Sequence, residues 1–384
     1  MSNRMLMVPP DISGLSYLSP LGRGGFADVF LYRQSVPSRE VAVKIFLTKF
    51  QANSPSAISF LTEANNLAQL GAHPNIVNIF EANITRNGNP YISMEFCPTS
   101  LGKNWRTEPL GLEKVLDIGV QIACALDAVH QANLVHRDIK PSNILINTFG
   151  TPVLADFGIA GQMNAAESTD EIAMSLPWSA PEVVSMQTLG TRASDVFSLG
   201  ATLYSLLAGR TPFESEDSRQ NATDKLRARI IKCIYTPIPG GGVPRIVEEL
   251  LNKAMFRDPN FRFANMQEFA MALNEVQASL QFQATRLTIA PKTIKKENET
   301  QEKYPCGHPK VSTDGIGGVV VDIPGSRNKG RESEIDPDKC PICTATPTTQ
   351  SKPKFKPSPL FWILSGAGVL GFVLGYILLS SSGV

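Results

Sequence analysis

Through the first 280 positions apolar residues recur with two different periods, and the change of period predicts the elements. The stretches 17–29 and 40–47 read as strands around turns, and 57–70 reads as a helix. Positions 115–132 carry a strongly amphipathic pattern in which Ile118, Ile122, Ala125 and Val129 share one face. Further helices are expected over 195–207, 246–255 and 266–280. Strands first and helices afterwards predict an α+β architecture in two lobes, filling residues 15–280.

The pattern then changes. Residues 281–359 are rich in Lys, Pro, Thr, Asn and Gly, with one aliphatic island at 317–323, and read as a linker. Residues 360–379 form an uncharged apolar run whose length of about 20 residues matches the hydrocarbon thickness for a helix, so a transmembrane span is expected there. Lys352, Lys354 and Lys356 precede it and no charged side chain follows. The positive-inside rule therefore puts the N-terminal side in the cytoplasm and the C-terminus outside the cell membrane, as a single-pass protein. Trp362 and Tyr376 suit the two interfaces, and residues 380–384 are too few for an external sensor. Ala367, Gly371 and Gly375 recur every four residues, a helix-pairing pattern compatible with a homodimer.

Composition narrows the function classes. Lys and Arg total 36 against 35 for Asp and Glu, a net charge of +1, which lacks the basic footprint of a nucleic-acid binder. A hydrophobic share of 42% supports a substantial core, and the first ten residues show no secretory pattern. Cys97, Cys124 and Cys233 are scattered through apolar segments and suit buried thiols in a reducing compartment. Cys306, His308, Cys340 and Cys343 form a Cys-x-His and a Cys-x-x-Cys pair, three thiolates and an imidazole that suit tetrahedral Zn²⁺ in a small module over 306–343. A redox-active or idle cysteine pair is the alternative.

Three segments carry the chemistry. Gly22-Arg23-Gly24-Gly25-Phe26-Ala27-Asp28-Val29 lies between strand-like stretches, and glycines there let backbone N–H groups approach phosphate oxygens, although a plain hairpin turn would look similar. Val41-Ala42-Val43-Lys44 ends an apolar strand on a lysine, which needs an anion if buried; Glu63 in the next helix is the candidate partner. His136, Arg137, Asp138, Lys140 and Asn143 sit in a polar segment wedged between apolar runs, followed by Leu154-Ala155-Asp156-Phe157-Gly158. Two carboxylates and an amide supply hard oxygen ligands for Mg²⁺ and a proton acceptor for an alcohol. Ordinary caps and turns do not account for all of these strings in this order.

On these motifs, residues 15–280 resemble a eukaryotic-type protein kinase domain, in the form of the membrane-bound serine/threonine kinases of bacteria. The resemblance implies that Leu21, Gly22, Gly24, Val29 and Ala42 enclose ATP and that Lys44 contacts its α- and β-phosphates while pairing with Glu63. Glu95 and Cys97 would offer backbone groups to adenine, with Met94 behind the pocket. Asp138 would orient or deprotonate a protein hydroxyl and Lys140 would steady the γ-phosphate, while Asn143 and Asp156 hold Mg²⁺ or Mn²⁺. Ala180-Pro181-Glu182 would end the substrate-binding segment, with Arg262 as the ion-pair partner of Glu182, and Asp195 would brace the catalytic loop from below.

Several positions depart from the family pattern. Ala27 replaces the third lid glycine, Met174-Ser175 replaces Gly-Thr, and Trp178 stands where Tyr is usual; these bear on lid motion and peptide preference rather than on phosphoryl transfer. Lys140 with Ser175 is similar to the serine/threonine-kinase pattern. Ser168, Thr169 and Ser175 are the expected phosphoacceptors of the polar loop between Gly158 and Ser175, with Arg137 available to grip a phosphate placed there and so to support activation by autophosphorylation.

Overall fold

The computed structural model describes residues 5–51, 54–157, 175–238 and 243–289. The N-terminal lobe is a five-stranded antiparallel sheet built from β1 (Leu15–Arg23), β2 (Ala27–Gln34), β3 (Arg39–Phe46), β4 (Ile79–Ile84) and β5 (Pro90–Glu95). Its strand order is β1-β2-β3-β5-β4. The predicted stretch 17–29 is therefore two strands of one hairpin, and β4 and β5 were not anticipated. β5 is central and buried along nearly its whole length, so it lacks the alternation that marks a half-exposed strand.

Alternation along β3 divides the lobe into two packed faces. Val41, Val43 and Ile45 point with Phe30 and Tyr32 toward a cluster closed by Ile12, and Met7 and Leu15 pack on it. Ala42 and Phe46 point the other way, onto Phe60, Ala64 and Leu67 of helix α1 (Pro55–Ala68). α1 starts cleanly because Ser54 caps the Ala57 N–H at 3.2 Å and Pro55 opens the first turn.

The second lobe is helical around α2 (Leu112–Gln131), α3 (Pro181–Val184), α4 (Arg192–Ala208), α5 (Thr223–Lys232), α6 (Arg245–Ala254) and α7 (Met266–Ser279). α4 is buried on every side from Ser194 to Leu206, so it has no polar outward face, and its polar residues Ser194, Asp195, Ser198, Thr202 and Ser205 are buried with the apolar ones. A capping box between Thr191 and Ser194 starts it, and Gly209 at φ 66° ends it in the left-handed conformation that glycine adopts without strain. A small sheet of order β6-β7-β8 is formed by β6 (Thr99–Ser100), β7 (Ile144–Ile146) and β8 (Pro152–Leu154), and the polar loop runs directly into its middle strand, β7.

Packing continues past the expected domain end at residue 280. Residues after α7 turn back over the helical lobe, with Phe282 and Leu287 packed against its core. The run from Gln281 reads as linker in the sequence because it is polar and because its bonds to His73 and Asp117 join residues far apart in the chain. The apolar run 360–379 and the residues Cys306, His308, Cys340 and Cys343 lie outside the described residues. Among the described residues no helix is long and apolar enough to cross a membrane.

Candidate active site

The polar loop and the turn after β8 meet beneath the sheet. Asp195 at the start of α4 is 1% exposed and accepts from the backbone N–H of His136 at 2.9 Å and of Arg137 at 3.0 Å, and its carboxylate also contacts His130 Nε2 at 2.8 Å. Arg137 has φ 69°, a strained value for a non-glycine residue that this brace helps hold. His136 joins the two loops. Its Nδ1 accepts from the Asp138 N–H at 3.3 Å, so Nε2 carries the proton and donates to the Ala155 carbonyl at 3.1 Å. The ring also packs 4.9 Å from Phe157.

Four side chains then converge. Ser175 donates its hydroxyl proton to Asp138 Oδ1 at 2.7 Å and accepts from Lys140 Nζ at 2.7 Å. Lys140 Nζ also lies 2.8 Å from Asp138 Oδ2, and Asn143 Nδ2 donates to Asp138 Oδ2 at 2.9 Å and to its carbonyl at 2.7 Å. Asp138 is thus oriented by three donors. Ser175, expected among the phosphoacceptors of the loop, has its hydroxyl hydrogen-bonded inside this cluster. Ser168 and Thr169 lie outside the described residues.

Across the cleft, Lys44 Nζ pairs with Asp156 Oδ1 at 2.9 Å. Burial acts to raise the Asp156 carboxyl, but the charge and hydrogen bond of Lys44, with Lys140 and His136 behind them, outweigh it and hold the group below the usual carboxylate range. The expected Lys44–Glu63 pair is not formed: no ion pair joins them among the described contacts, and Lys44 has turned to Asp156. Burial pushes the Glu63 carboxyl up, against the pull of the Arg137 guanidinium.

The strand register sets the remaining expected contacts. Val29 stands opposite Lys44 and Ala42 opposite Met94. Leu21 and Gly22 end β1 beside the turn that holds Gly24, and a Cβ built on Gly22 meets open space, so a glycine there leaves room for a ligand rather than for protein. The methyl of Ala27 is buried in the cluster beside Phe46. Met94 lines a cavity of ≈ 20 Å³ with Val77, Ile79, Ile92 and Phe157 behind Lys44. The Glu95 N–H is spent on the Asn78 carbonyl at 2.8 Å, leaving its carbonyl and the Cys97 backbone as the candidate edge for a base. Burial, with Glu95 adding to it, pushes the Cys97 thiol up to about 12, so it stays protonated and unreactive at neutral pH.

The donor set fits a nucleotide with Mg²⁺. Asp156 is ionised, and the Asn143 amide keeps its oxygen, touched only by the Ser142 hydroxyl at 3.4 Å. Two protein oxygens are what Mg²⁺ takes when phosphates and water complete its shell. Among the described residues no group of three or more His, Cys, Asp and Glu forms a self-sufficient metal cage.

One supporting residue escaped sequence reading. A Cβ on Gly102 would sit 2.6 Å from Ser142 Cα and 3.0 Å from its nitrogen, so backbone packs directly on backbone beside Asn143. We expect Gly102→Ala to displace that turn, destabilise the fold by about 1–3 kcal/mol and raise the apparent Kd for Mg²⁺, measured by metal titration of activity. No sequence signal marks this contact, because the two chains meet only in the fold.

The buried histidines give a pH dependence. Burial lowers both His136 and His73 from 6.5, so each stays neutral in the fold while its unfolded counterpart takes up a proton as pH falls below 6.5. Stability is therefore full above that value and falls below it, by up to about 1.4 kcal/mol per pH unit for each histidine. Urea midpoints measured between pH 7.5 and 5.5 should decline; a flat series would contradict the neutral assignments. Asp156 contributes nothing in this window, since its carboxylate remains ionised throughout.

Residues 15–274 match the protein kinase domain family. The chain is 35% identical over 271 residues to serine/threonine-protein kinase PknK of Mycobacterium tuberculosis, an alignment covering 69% of this chain and 24% of that protein. It is 32% identical over 306 residues to serine/threonine-protein kinase PrkC of Bacillus subtilis, covering 78% and 45% respectively. Human serine/threonine-protein kinase ULK3 is 32% identical over 267 residues, covering 68% of this chain and 55% of ULK3. The chain thus spans from a quarter to about half the length of these relatives.

Proposed function

From the premise that this chain belongs to the protein kinase domain family, we propose that it transfers the γ-phosphoryl group of ATP to serine and threonine hydroxyls of proteins. The observation that carries the reading is the convergence of Asp138, Lys140, Asn143 and Ser175 opposite the Lys44–Asp156 pair. Asp138 accepts the proton of the substrate hydroxyl as that oxygen forms its bond to the γ-phosphorus and the bond to the β,γ-bridging oxygen breaks, releasing ADP. Lys140 and Lys44 place positive charge on the two sides of the transferring group, and this positioning is most of the catalysis. Asn143 and Asp156 would hold Mg²⁺, which neutralises phosphate charge when bound.

Incubation of the purified chain with Mg²⁺, γ-labelled ATP and protein substrates should give labelled phosphoserine and phosphothreonine. Labelled phosphotyrosine alone, or no labelled polypeptide, would refute the reading.

The tail extends the proposal. The uncharged run 360–379, with lysines only on its N-terminal side, supports a single membrane span with the kinase domain cytoplasmic, and its small-residue repeat supports pairing that would favour phosphorylation in trans. Ser168 and Thr169 are the proposed autophosphorylation sites, and Cys306, His308, Cys340 and Cys343 the proposed Zn²⁺ ligands. Carbonate extraction, phosphopeptide mapping and metal analysis of the full chain test these three readings separately.

A further inference from the structure

Beyond the family match, which ends at residue 274, the chain closes a ring of hydrogen bonds with the turn that ends α1. Thr285 Oγ1 donates to Asp117 Oδ1 of α2 at 3.0 Å and receives a bond from Gln277 Nε2 at 2.8 Å, while Gln277 Oε1 accepts the Thr285 N–H at 3.0 Å. Asp117 Oδ1 also accepts from Gln121 Nε2 at 2.9 Å, and Gln121 Oε1 accepts from Asn75 Nδ2 at 2.8 Å. The Asn75 N–H donates to His73 Nδ1 at 3.1 Å, which leaves the proton on Nε2 to reach the Thr288 carbonyl at 3.0 Å. Asn75 Nδ2 further binds the Pro152 carbonyl at the start of β8, at 2.8 Å. Cys124 of α2 interacts with the same Thr288 backbone, and Leu287 packs on the helical core.

The geography gives this ring a consequence. α1 runs directly into the 3₁₀ turn Gln69–Ala72 and then His73, so the ring grips the helix that carries Glu63 at its C-terminal end. His73 is 8% exposed and both of its ring nitrogens are used. Glu63 is the side chain whose distance from Lys44 depends on where α1 sits, and in this structure the two are not joined.

We propose that residues 282–289 act as a strap that fixes the pivot of α1 and so bear on the Lys44–Glu63 pairing, with His73 as a positioning residue. A firm pivot lets α1 swing Glu63 toward Lys44 as a rigid body; a loosened one lets the helix end drift and lowers the fraction of molecules in which the pair forms. The activity arm of this inference rests on the kinase reading, whereas its structural arm does not.

The test uses the full chain. In Thr285→Glu a carboxylate faces Asp117, and in His73→Asn the side chain keeps an acceptor for the Asn75 N–H but has no donor that reaches Thr288. Both should speed amide hydrogen exchange across 282–289 and across 69–76 by about five- to tenfold, as expected for loss of one or two hydrogen bonds. They should lower kcat about two- to fivefold while leaving KM for the protein substrate unchanged. Arg286→Gln, on the exposed side of the strap, should change none of these. If the strap amides speed up in Thr285→Glu while those of 69–76 keep the wild-type rate, or if neither set responds, the strap is not coupled to α1 and the proposal is overturned. Faster exchange with unchanged kcat would overturn the link to Glu63, and a wild-type chain that labels no protein would overturn the kinase reading alone.

Discussion

Replacing Asp138 by asparagine is expected to lower kcat by about 10²–10⁴ with little change in the melting temperature or in KM for ATP. The rate falls because the amide cannot take the substrate proton. The fold survives because the cluster can adapt: the new Oδ1 still accepts from Lys140 and Asn143, and the new Nδ2 can donate to the Ser175 hydroxyl, which now holds Asp138 Oδ1 at 2.7 Å. Nucleotide contacts fall to Lys44 and Asp156 on the other side of the cleft, so ATP binding should persist. A rate within tenfold of wild type, measured at saturating ATP with matched thermal melts, would remove Asp138 from the role of proton acceptor.

The second large effect concerns stability. Arg262 has a side chain with 0% exposure and grips Glu182 with two bonds, Nη1 to Oε1 at 2.7 Å and Nη2 to Oε2 at 2.8 Å. Its remaining donors reach the carbonyls of Phe256, Ala193 and Arg257, and its plane lies over the Phe197 ring at 5.0 Å. Glu182→Ala would leave a buried cation with carbonyl partners alone, and we expect a loss of about 3–5 kcal/mol. For a domain of this size that corresponds to a melting temperature lower by roughly 6–20 °C.

Glu182→Leu combined with Arg262→Met should recover part of the loss by removing the orphaned charge; the carbonyls left without donors keep the recovery partial. Urea denaturation of the four-member cycle reads the coupling directly, and independent, additive losses would show that the pair does not act as a unit. The effect should also reach the site. Glu182 sits in α3, a few residues after Ser175 and Trp178, and Trp178 is anchored by Nε1 to the Ser205 hydroxyl at 3.0 Å. Loosening α3 therefore loosens the segment that presents Ser175 to Asp138.

Much of this molecule was legible in the amino-acid order. The helix over 266–280 was visible because it buries one face and exposes the other. The one over 115–132 was visible from its apolar spacing although α2 is buried on nearly every side from Ile118 to His130, and the polar loop was visible because charged residues interrupt apolar runs that must be buried. The bracing role of Asp195 and the Glu182–Arg262 pair were implied by the resemblance to protein kinases, and both are present in the structure. β4, β5 and α5 escaped: β5 is buried too completely to alternate, and α5 is short, with only Leu226 and Ile230 buried.

The sequence by itself determined which side chains carry charge, hard oxygens and conformational freedom, and in what order, because those properties are covalent and local. Only the tertiary structure decided how they are paired. Lys44 could meet Glu63 or Asp156, Ser175 could face solvent or Asp138, and the residues after Leu280 could hang free or strap the turn at His73. Each choice sets partners far apart in the chain against one another, and a contact of that kind is settled by the distance and desolvation that the packed lobes impose.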